Sequence, residues 1–214
     1  MQLKENGLKK LKINKKKFVY LISPEKIKKS FYYDLNNILK LKKIGLFQLR
    51  LKNLSFKKKF FIGKKIKKIC SRHKTVFIIN DDVLLANKLD SDGCHLGQKD
   101  MGIHEARKIL KKKIIGVTCH NSIKLARLAI KNKADYLAFG AFNISKTKKT
   151  KYKANSSLLK KIKKITKTPI VAIGGINSQN YKKLLLNKAN FLAISGYIWN
   201  NKKLKPREAI KKII

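Results

Sequence analysis

Three aspartates stand where carboxylates can bind a metal ion. Asp81 and Asp82 directly follow one short apolar run, and Asp100 follows the next. If these runs are neighbouring parallel strands, Asp81 and Asp100 meet at one edge, where two carboxylates, water and a substrate phosphate suit Mg²⁺. The alternative is helix capping, in which the same side chains accept backbone hydrogen bonds at the starts of the following helices. The chain has only 11 acidic residues, so their placement is informative.

Cationic and polar side chains that suit a bound phosphate lie near the ends of other apolar runs. A strand period of two puts Gln48, Arg50 and Lys52 on one side, so the three can converge on an anion. Lys148 ends the polar segment 143–148, whose hydroxyls and lysines suit a loop around a phosphate. These residue types predict a site for phosphorylated substrates.

A pair of glycines and a histidine add to this set. Gly174 and Gly175 precede a predicted helix start at Asn177, and backbone N–H groups at a helix N-terminus bind phosphate; a plain turn is the alternative. Ser195 ends the last apolar run on the same side. His120 follows the run 114–118 as a candidate acid or base, or as a structural histidine.

Eight short apolar runs, alternating with lysine-rich amphipathic segments, must position these residues. Such runs predict strands buried on both faces, and strand–helix alternation predicts parallel pairing. Because polar residues end run after run, we predict one (β/α)8 TIM barrel over residues 18–214 with its site on the C-terminal face, rather than an open sheet with one switch point. The runs cover residues 18–23, 45–50, 76–80, 93–97, 114–118, 136–140, 170–174 and 191–195.

The segments between the runs carry helix signals. Ser122 is a predicted cap for a helix over 122–132, and Val83–Lys88 is a compact helix. Another helix is predicted to open at Asn177, and a final one to run from Pro206 to Ile214. Residues 1–17 form a lysine-rich N-terminal extension, predicted to be either a short helix or disordered.

The charge of the chain is extreme, at 54 Lys plus Arg against 11 Asp plus Glu. Nearly all of it is lysine spread over every predicted helix, whereas specific nucleic-acid readers concentrate charge on one face and use arginine forks. We therefore expect no specific nucleic-acid partner. No apolar run reaches the roughly 18 residues of a membrane span, and the three cysteines form no CxxC pair. These features favour a reduced, cytoplasmic protein with small-molecule substrates and no membrane partner.

Seven segments in order carry a family resemblance. They are QLRLK (48–52), INDD (79–82), DGCHLGQKDM (92–101), IIGVTCH (114–120), ADYLAFGAF (134–142), PIVAIGGIN (169–177) and FLAIS (191–195). Together they resemble thiamine-phosphate synthases over about residues 18 to 200. The resemblance implies a transferase that condenses 4-amino-2-methyl-5-hydroxymethylpyrimidine diphosphate with 4-methyl-5-(2-phosphoethyl)thiazole, or its carboxylated form, to thiamine phosphate and diphosphate.

The resemblance also implies roles for individual positions. The pyrimidine diphosphate would be bound by Gln48, Arg50, Lys52, Asn80, Thr118 and Lys148. Mg²⁺ would be bound by Asp81 and Asp100. The thiazole phosphate would be bound by Ser145, Thr147, Gly175, Ile194 and Ser195. The chain departs from the family pattern at Leu51, where an acidic residue is common, and in the loop 143–147, which is usually rich in Pro and Thr.

Two other functions compete with this interpretation. The related thiazole tautomerases are isomerases on the same fold and use a histidine near His120. From another class, a lysine-rich nucleic-acid-binding protein can be built on a disabled barrel. A tautomerase does not need the full diphosphate-binding set and a disabled enzyme loses it, so its presence in this chain favours the synthase.

Overall fold

A closed barrel of eight parallel strands, hydrogen-bonded in the order β1 to β8, forms the centre of the computed structural model, which describes residues 16–144 and 151–214. This confirms the predicted (β/α)8 architecture. The strands are β1 (Val19–Ile22), β2 (Ile44–Leu49), β3 (Val76–Asn80), β4 (Gly93–Leu96), β5 (Ile114–His120), β6 (Tyr136–Phe139), β7 (Ile170–Ile173) and β8 (Phe191–Ile194). Most of the predicted extension, residues 1–15, lies outside the described residues.

Helices cover the outside of the barrel. They are α1 (Phe31–Leu39), α2 (Phe56–Arg72), α3 (Val83–Lys88), α4 (Ile103–Leu110), α5 (Ile123–Lys131), α6 (Ser157–Ile165), α7 (Tyr181–Leu186), α8 (Gly196–Trp199) and α9 (Pro206–Lys211). As predicted, Ser122 caps α5 by accepting from Leu125 N, and Pro206 opens α9. None of the described helices is long and apolar enough to cross a membrane.

The strands are buried on both faces, which explains their continuous apolar sequences. One set of side chains, including Leu21, Phe47 and Phe77, packs outward against the helices. The alternate set, including Leu46 and Ile78, fills the barrel interior as a second cluster. Because side chains alternate along a strand, polar residues that continue the inward set reach the C-terminal rim of the barrel.

Two predicted boundaries are wrong. The helix predicted to open at Asn177 begins at Tyr181, because the Asn177 carboxamide accepts from the N–H groups of Gln179 and Asn180 and holds a turn instead. Strand β5 runs on to His120 through a register shift after Thr118, so His120 ends the strand rather than following it.

Three side chains close the opposite, N-terminal end of the barrel in the same way; we call them the floor clamps. The three residues are Asp92, Asp135 and Asn190. Each directly precedes an even-numbered strand and accepts from a backbone N–H at the start of the odd-numbered strand before it, which is the second residue of β3 and β5 and the first of β7. The bonds join Asp92 to Phe77 (2.9 Å), Asp135 to Ile115 (2.7 Å) and Asn190 to Ile170 (2.9 Å). In return, the backbone N–H of each clamp residue donates to the carbonyl of the same partner.

Replacement of the Asp135 clamp is expected to destabilise the barrel. The carboxylate also accepts from Arg107 at 2.7 Å and is only 13% exposed. Asp135→Ala therefore leaves the Ile115 N–H without its acceptor and removes the carboxylate from Arg107, whose guanidinium keeps only its backbone carbonyl acceptors. We expect a loss of about 2 to 4 kcal/mol in the free energy of unfolding, measured in urea. Asp135→Asn, which reproduces the side chain found at Asn190, should lose clearly less. Equal losses in the two variants would contradict the role of the backbone bond.

Candidate active site

The C-terminal rim is tied together where β8, β1 and β2 end. Ser195 Oγ donates to the Ser23 carbonyl at 3.1 Å, and Ser23 Oγ accepts from the backbone N–H of Arg50 at 2.9 Å. Trp199 Nε1 donates to the carbonyl of Ile22 at 2.6 Å. These bonds fix the backbone at two predicted ligand positions, Arg50 and Ser195.

Asp81 and Asp100, the predicted metal ligands, meet at the ends of β3 and β4. Their carboxyl groups lie close enough for Asp100 to act on the ionisation of Asp81; we call them the carboxylate pair. Burial, followed by the effect of Asp100, raises the pKa of Asp81 above its ordinary value, while Lys52 and Arg50 act in the opposite direction. Lys52 Nζ lies 3.6 Å from Asp81 Oδ2. Acidic and basic side chains therefore converge at one place on the rim, as the sequence predicts.

The backbone explains why Asp81, and not its neighbour, reaches this position. Asp81 has a φ of 63°, in the left-handed region that Asp tolerates better than most residues, so the chain turns sharply after β3. Asp82 caps α3, since its Oδ1 accepts from Leu85 N at 2.9 Å, and its Oδ2 lies 3.6 Å from Lys59 Nζ. The capping alternative is thus correct for Asp82. The capping alternative is wrong for Asp100: α4 has Gly102 at its N-cap without a side-chain hydrogen bond, and Asp100 Oδ2 instead accepts from Gly97 N at 2.6 Å in the turn after β4.

Asp81 lines a cleft at the ends of β2 and β3. The other residues that line it are Leu51, Lys52, Lys59, Asn80 and Asp82. Leu51, the position where an acidic residue is common in the family, is 6% exposed and packs in the outer core. It therefore contributes apolar packing under the rim.

Gln48 and Thr118, two more predicted ligands, are the ends of a buried hydrogen-bond chain that crosses the barrel. Gln48 Nε2 donates to Tyr20 Oη (2.9 Å), which pairs with Tyr136 Oη (2.8 Å). His95 Nδ1 contacts Tyr136 Oη at 2.9 Å, and its Nε2 contacts Thr118 Oγ1 at 2.8 Å. We call these five residues the buried chain. The sequence patterns do not identify the two tyrosines as partners of these predicted ligands.

The glycine pair after β7 is required by the close approach of another loop. Gly174 and Gly175 have φ values of 106° and 57°, and a Cβ on Gly175 would lie 2.3 Å from the carbonyl oxygen of Ile144. The predicted helix N-terminus does not follow Gly175 directly, because α7 begins only at Tyr181. The residues next to Gly175 on the rim therefore belong to a turn. Ile194 is 2% exposed in the outer core, so it can reach a ligand only through its backbone.

Three predicted ligands, Ser145, Thr147 and Lys148, lie outside the described residues. The chain returns to the rim at Tyr152, whose ring stacks on His120 at 3.9 Å between centroids and whose carbonyl accepts from Ala141 N at 3.0 Å. Beside this stack, burial raises the pKa of Cys119 to about 12, which leaves its thiol protonated and unsuited to act as a nucleophile.

A family model described as thiamine monophosphate synthase matches residues 19–198. Among curated proteins, the chain is 69% identical over 207 residues to the thiamine-phosphate synthase of Pelagibacter ubique (strain HTCC1062), covering 96% of this chain and all of that protein. It is 37% identical over 187 residues to the thiamine-phosphate synthase of Erythrobacter litoralis (strain HTCC2594), which covers 85% of this chain and 88% of that protein.

Among solved structures, the thiamine phosphate pyrophosphorylase from Pyrococcus furiosus superposes with a TM-score of 0.82 at 28% identity. The alignment covers 93% of this chain and 95% of that one. A 3-hexulose-6-phosphate synthase, at a TM-score of 0.62 and 12% identity, shares the fold alone.

Proposed function

Because the chain belongs to the thiamine monophosphate synthase family, we propose that its C-terminal rim binds an aminopyrimidine diphosphate and a thiazole phosphate and joins them to thiamine phosphate, with release of diphosphate. The observation that carries this assignment is the carboxylate pair with Lys52 beside it at the ends of β2, β3 and β4. Acidic and cationic groups at one place suit a metal-bound diphosphate, because Asp81 and Asp100 would hold the ion and its charge would neutralise that of the phosphates.

The residues present fit a magnesium ion. Asp100 raises the pKa of the neighbouring Asp81 carboxyl group because two nearby carboxylates repel each other once both are ionised, and a bound divalent cation would remove that cost. In the part of the chain that the structure describes, no group of three or more His, Cys, Asp or Glu side chains is placed to hold a metal. A two-carboxylate site with water and phosphate in the remaining positions is typical of Mg²⁺ rather than Zn²⁺.

In the proposed reaction, the bond between the pyrimidine methylene carbon and the diphosphate oxygen breaks, and its electron pair leaves with diphosphate. The lone pair of the thiazole nitrogen then forms the new C–N bond. Arg50 and Lys52 are placed to neutralise the negative charge that grows on the leaving group. Mg²⁺, when bound, supplies further charge neutralisation at the phosphate oxygens. The chain's remaining task is to align the two partners and to exclude water.

The chemistry asks for no side-chain nucleophile, and the three thiols are buried: burial raises the pKa of Cys119, and those of Cys70 and Cys94 still further. All three cysteines are free, which supports a reducing compartment and the proposal of a cytoplasmic enzyme.

The direct test incubates the protein with both phosphorylated substrates and Mg²⁺ and detects thiamine phosphate and diphosphate. A parallel incubation with the thiazole substrate alone detects isomerisation. Coupling without isomerisation is the expected result. Isomerisation without coupling, abolished by His120→Ala, would instead identify a tautomerase.

Mg²⁺ is expected to stabilise the folded protein through the carboxylate pair. At a concentration of about 100 times the Kd the gain is roughly 2.7 kcal/mol, which raises Tm by about 5 to 10 °C for a chain of this length. Asp81→Asn should abolish that shift, whereas Asp82→Asn, which keeps the α3 cap, should retain it. Thermal unfolding with and without MgCl2 measures both.

Without metal, the pH dependence of stability gives a second test of the carboxylate pair. Since the pKa of Asp81 is raised in the folded state, the folded protein binds more protons than the unfolded one. The free energy of unfolding should therefore fall as the pH rises from the ordinary pKa of aspartate to the raised pKa of Asp81. Above that raised pKa the loss is complete. Asp81→Asn removes the ionisation, so it should unfold at a higher temperature than the parent at neutral pH without metal. A lower Tm would contradict repulsion within the pair.

A further inference from the structure

The buried chain is an unusual filling for the interior of a barrel. Tyr20, Tyr136 and Gln48 are at most 3% exposed and His95 is 8% exposed, in a layer otherwise built from apolar side chains. Burying polar groups costs free energy unless each is hydrogen-bonded, and phenylalanine would fill the tyrosine positions without that cost. Every bond of the chain is made, at 2.8 to 2.9 Å. The arrangement therefore satisfies its own polar groups and connects two rim residues.

The fold makes room for this connection. Tyr136 pairs in register with Gly116 on β5, and a Cβ on Gly116 would lie 1.8 Å from the Tyr136 ring. The tyrosine ring thus lies across the position of a missing side chain. Its ring stacks with His95 at 5.5 Å and meets Tyr20 edge-on at 5.8 Å, so all three rings are held in place.

The donors and acceptors of the buried chain run in one direction. Gln48 Nε2 can only donate, so Tyr20 Oη accepts from it. The Tyr20 hydroxyl proton then goes to Tyr136, and the Tyr136 proton goes to His95 Nδ1. Nε2–H of His95 donates to Thr118 Oγ1. If Tyr136 donated to Tyr20 instead, the Tyr20 proton would be buried without an acceptor. Burial raises the pKa of both tyrosines, which keeps their hydroxyls protonated.

This direction determines what the two ends offer to a ligand. With its nitrogen engaged, Gln48 presents its amide oxygen as an acceptor. With its oxygen engaged by His95, Thr118 presents its hydroxyl proton as a donor. The two ends are coupled, because reversing one requires turning the Gln48 amide and moving every proton along the chain.

We propose that Tyr20, Tyr136 and His95 are positioning residues that fix Gln48 as an acceptor and Thr118 as a donor, and so select a pyrimidine with an exocyclic amino group over its 4-oxo analogue. The inference rests on the proposed function. The amino group of the substrate is a donor for Gln48, and a ring nitrogen is an acceptor for Thr118. A 4-oxo group places an acceptor opposite the Gln48 oxygen, and sites that mispair buried polar groups reject such analogues strongly.

The test compares binding of the aminopyrimidine diphosphate and of its 4-oxo analogue, each with Mg²⁺, by calorimetry. Tyr136→Phe removes one hydroxyl and frees the Gln48 amide to turn independently of Thr118. We expect the amino-over-oxo preference to fall by about 10- to 100-fold in this variant, the range for mispaired buried polar groups. KM for the aminopyrimidine should rise, while KM for the thiazole phosphate stays within about twofold, since the buried chain lies on the pyrimidine side. Tyr20→Phe, which cuts the chain at a different bond, should give the same loss of preference.

The matched control is Tyr33→Phe, which removes a hydroxyl from a tyrosine that is 71% exposed on α1. It should keep the parental preference. An unaltered preference in folded Tyr136→Phe and Tyr20→Phe would overturn the inference, as would an equal rise in both KM values. If the parent protein binds the diphosphate but forms no thiamine phosphate, the proposed function fails, whereas the preference measured by binding still decides the role of the buried chain.

Discussion

Asp100→Asn is expected to lower kcat by about 100-fold or more while the protein remains folded, the scale on which loss of a preorganised charge at a reacting centre acts. The substitution removes one charge of the carboxylate pair, so under the proposed function Mg²⁺ should bind more weakly and the departing diphosphate should be less well neutralised. Asparagine keeps a side-chain oxygen that can accept from Gly97 N, the bond that Asp100 makes at 2.6 Å. Steady-state turnover over a series of Mg²⁺ concentrations measures the effect.

Two comparisons separate catalysis from folding at this position. Asp82→Asn alters a carboxylate on the same turn as Asp81 but keeps a good helix cap, and should lose far less activity. Asp100→Ala removes both the charge and the acceptor for Gly97, so it should lose stability in addition to turnover. Parental turnover of Asp100→Asn at low Mg²⁺ would refute the metal role.

Arg50→Ala is expected to reduce kcat by a similar factor, about 100-fold, because a guanidinium that meets the leaving diphosphate strengthens its contact as charge develops. Arg50 is well placed for this, since its backbone is held by Ser23 and its charge acts on Asp81. Arg50→Lys keeps the charge but not the two-pronged geometry and should recover only part of the activity.

The control for Arg50 must match the change in net charge. Arg127→Ala removes one positive charge from an exposed position on α5 and should leave kcat and both KM values at parental levels. Equal losses in Arg50→Ala and Arg127→Ala would indicate a general effect of surface charge. A rise in KM for the diphosphate with unaltered kcat would mean that Arg50 binds the ground state and the transition state equally.

The barrel and its acidic site were predictable because each follows from local patterns. Eight apolar runs with polar ends suffice for a parallel barrel, and the site follows once consecutive strands are adjacent, since Asp81 and Asp100 then share a rim. Which of Asp81 and Asp82 caps α3 was not predictable, because it depends on a left-handed backbone at Asp81. The predicted start of α7 was wrong for a related reason. The side chains of Asn177 and Asn180 accept hydrogen bonds from backbone N–H groups in a turn that competes with the helix.

The buried chain escaped prediction because its members are far apart in the sequence. Tyr20 and Tyr136 are separated by 116 residues, and each looks like an ordinary aromatic residue of a buried strand. A signal was present in Gly116, a glycine inside an apolar run, which marks a place where another group approaches closely. Only the barrel register identifies that group as the Tyr136 ring.

The floor clamps carry a consequence for the order in which the barrel assembles. Each clamp joins residues only 15 to 20 positions apart, enclosing one strand–helix–strand unit, whereas the Ser195–Ser23 bond at the rim spans 172 residues. Closing a short loop costs less chain entropy than closing a long one, and contacts between distant segments slow folding. The units β3–β4, β5–β6 and β7–β8 can therefore form independently and early, and the joining of β8 to β1 comes last. The part of the rim that holds Arg50 is completed by that final step, whereas Asp81 and Asp100 belong to the early β3–β4 unit, so we expect the two sides of the site to become ordered at different stages.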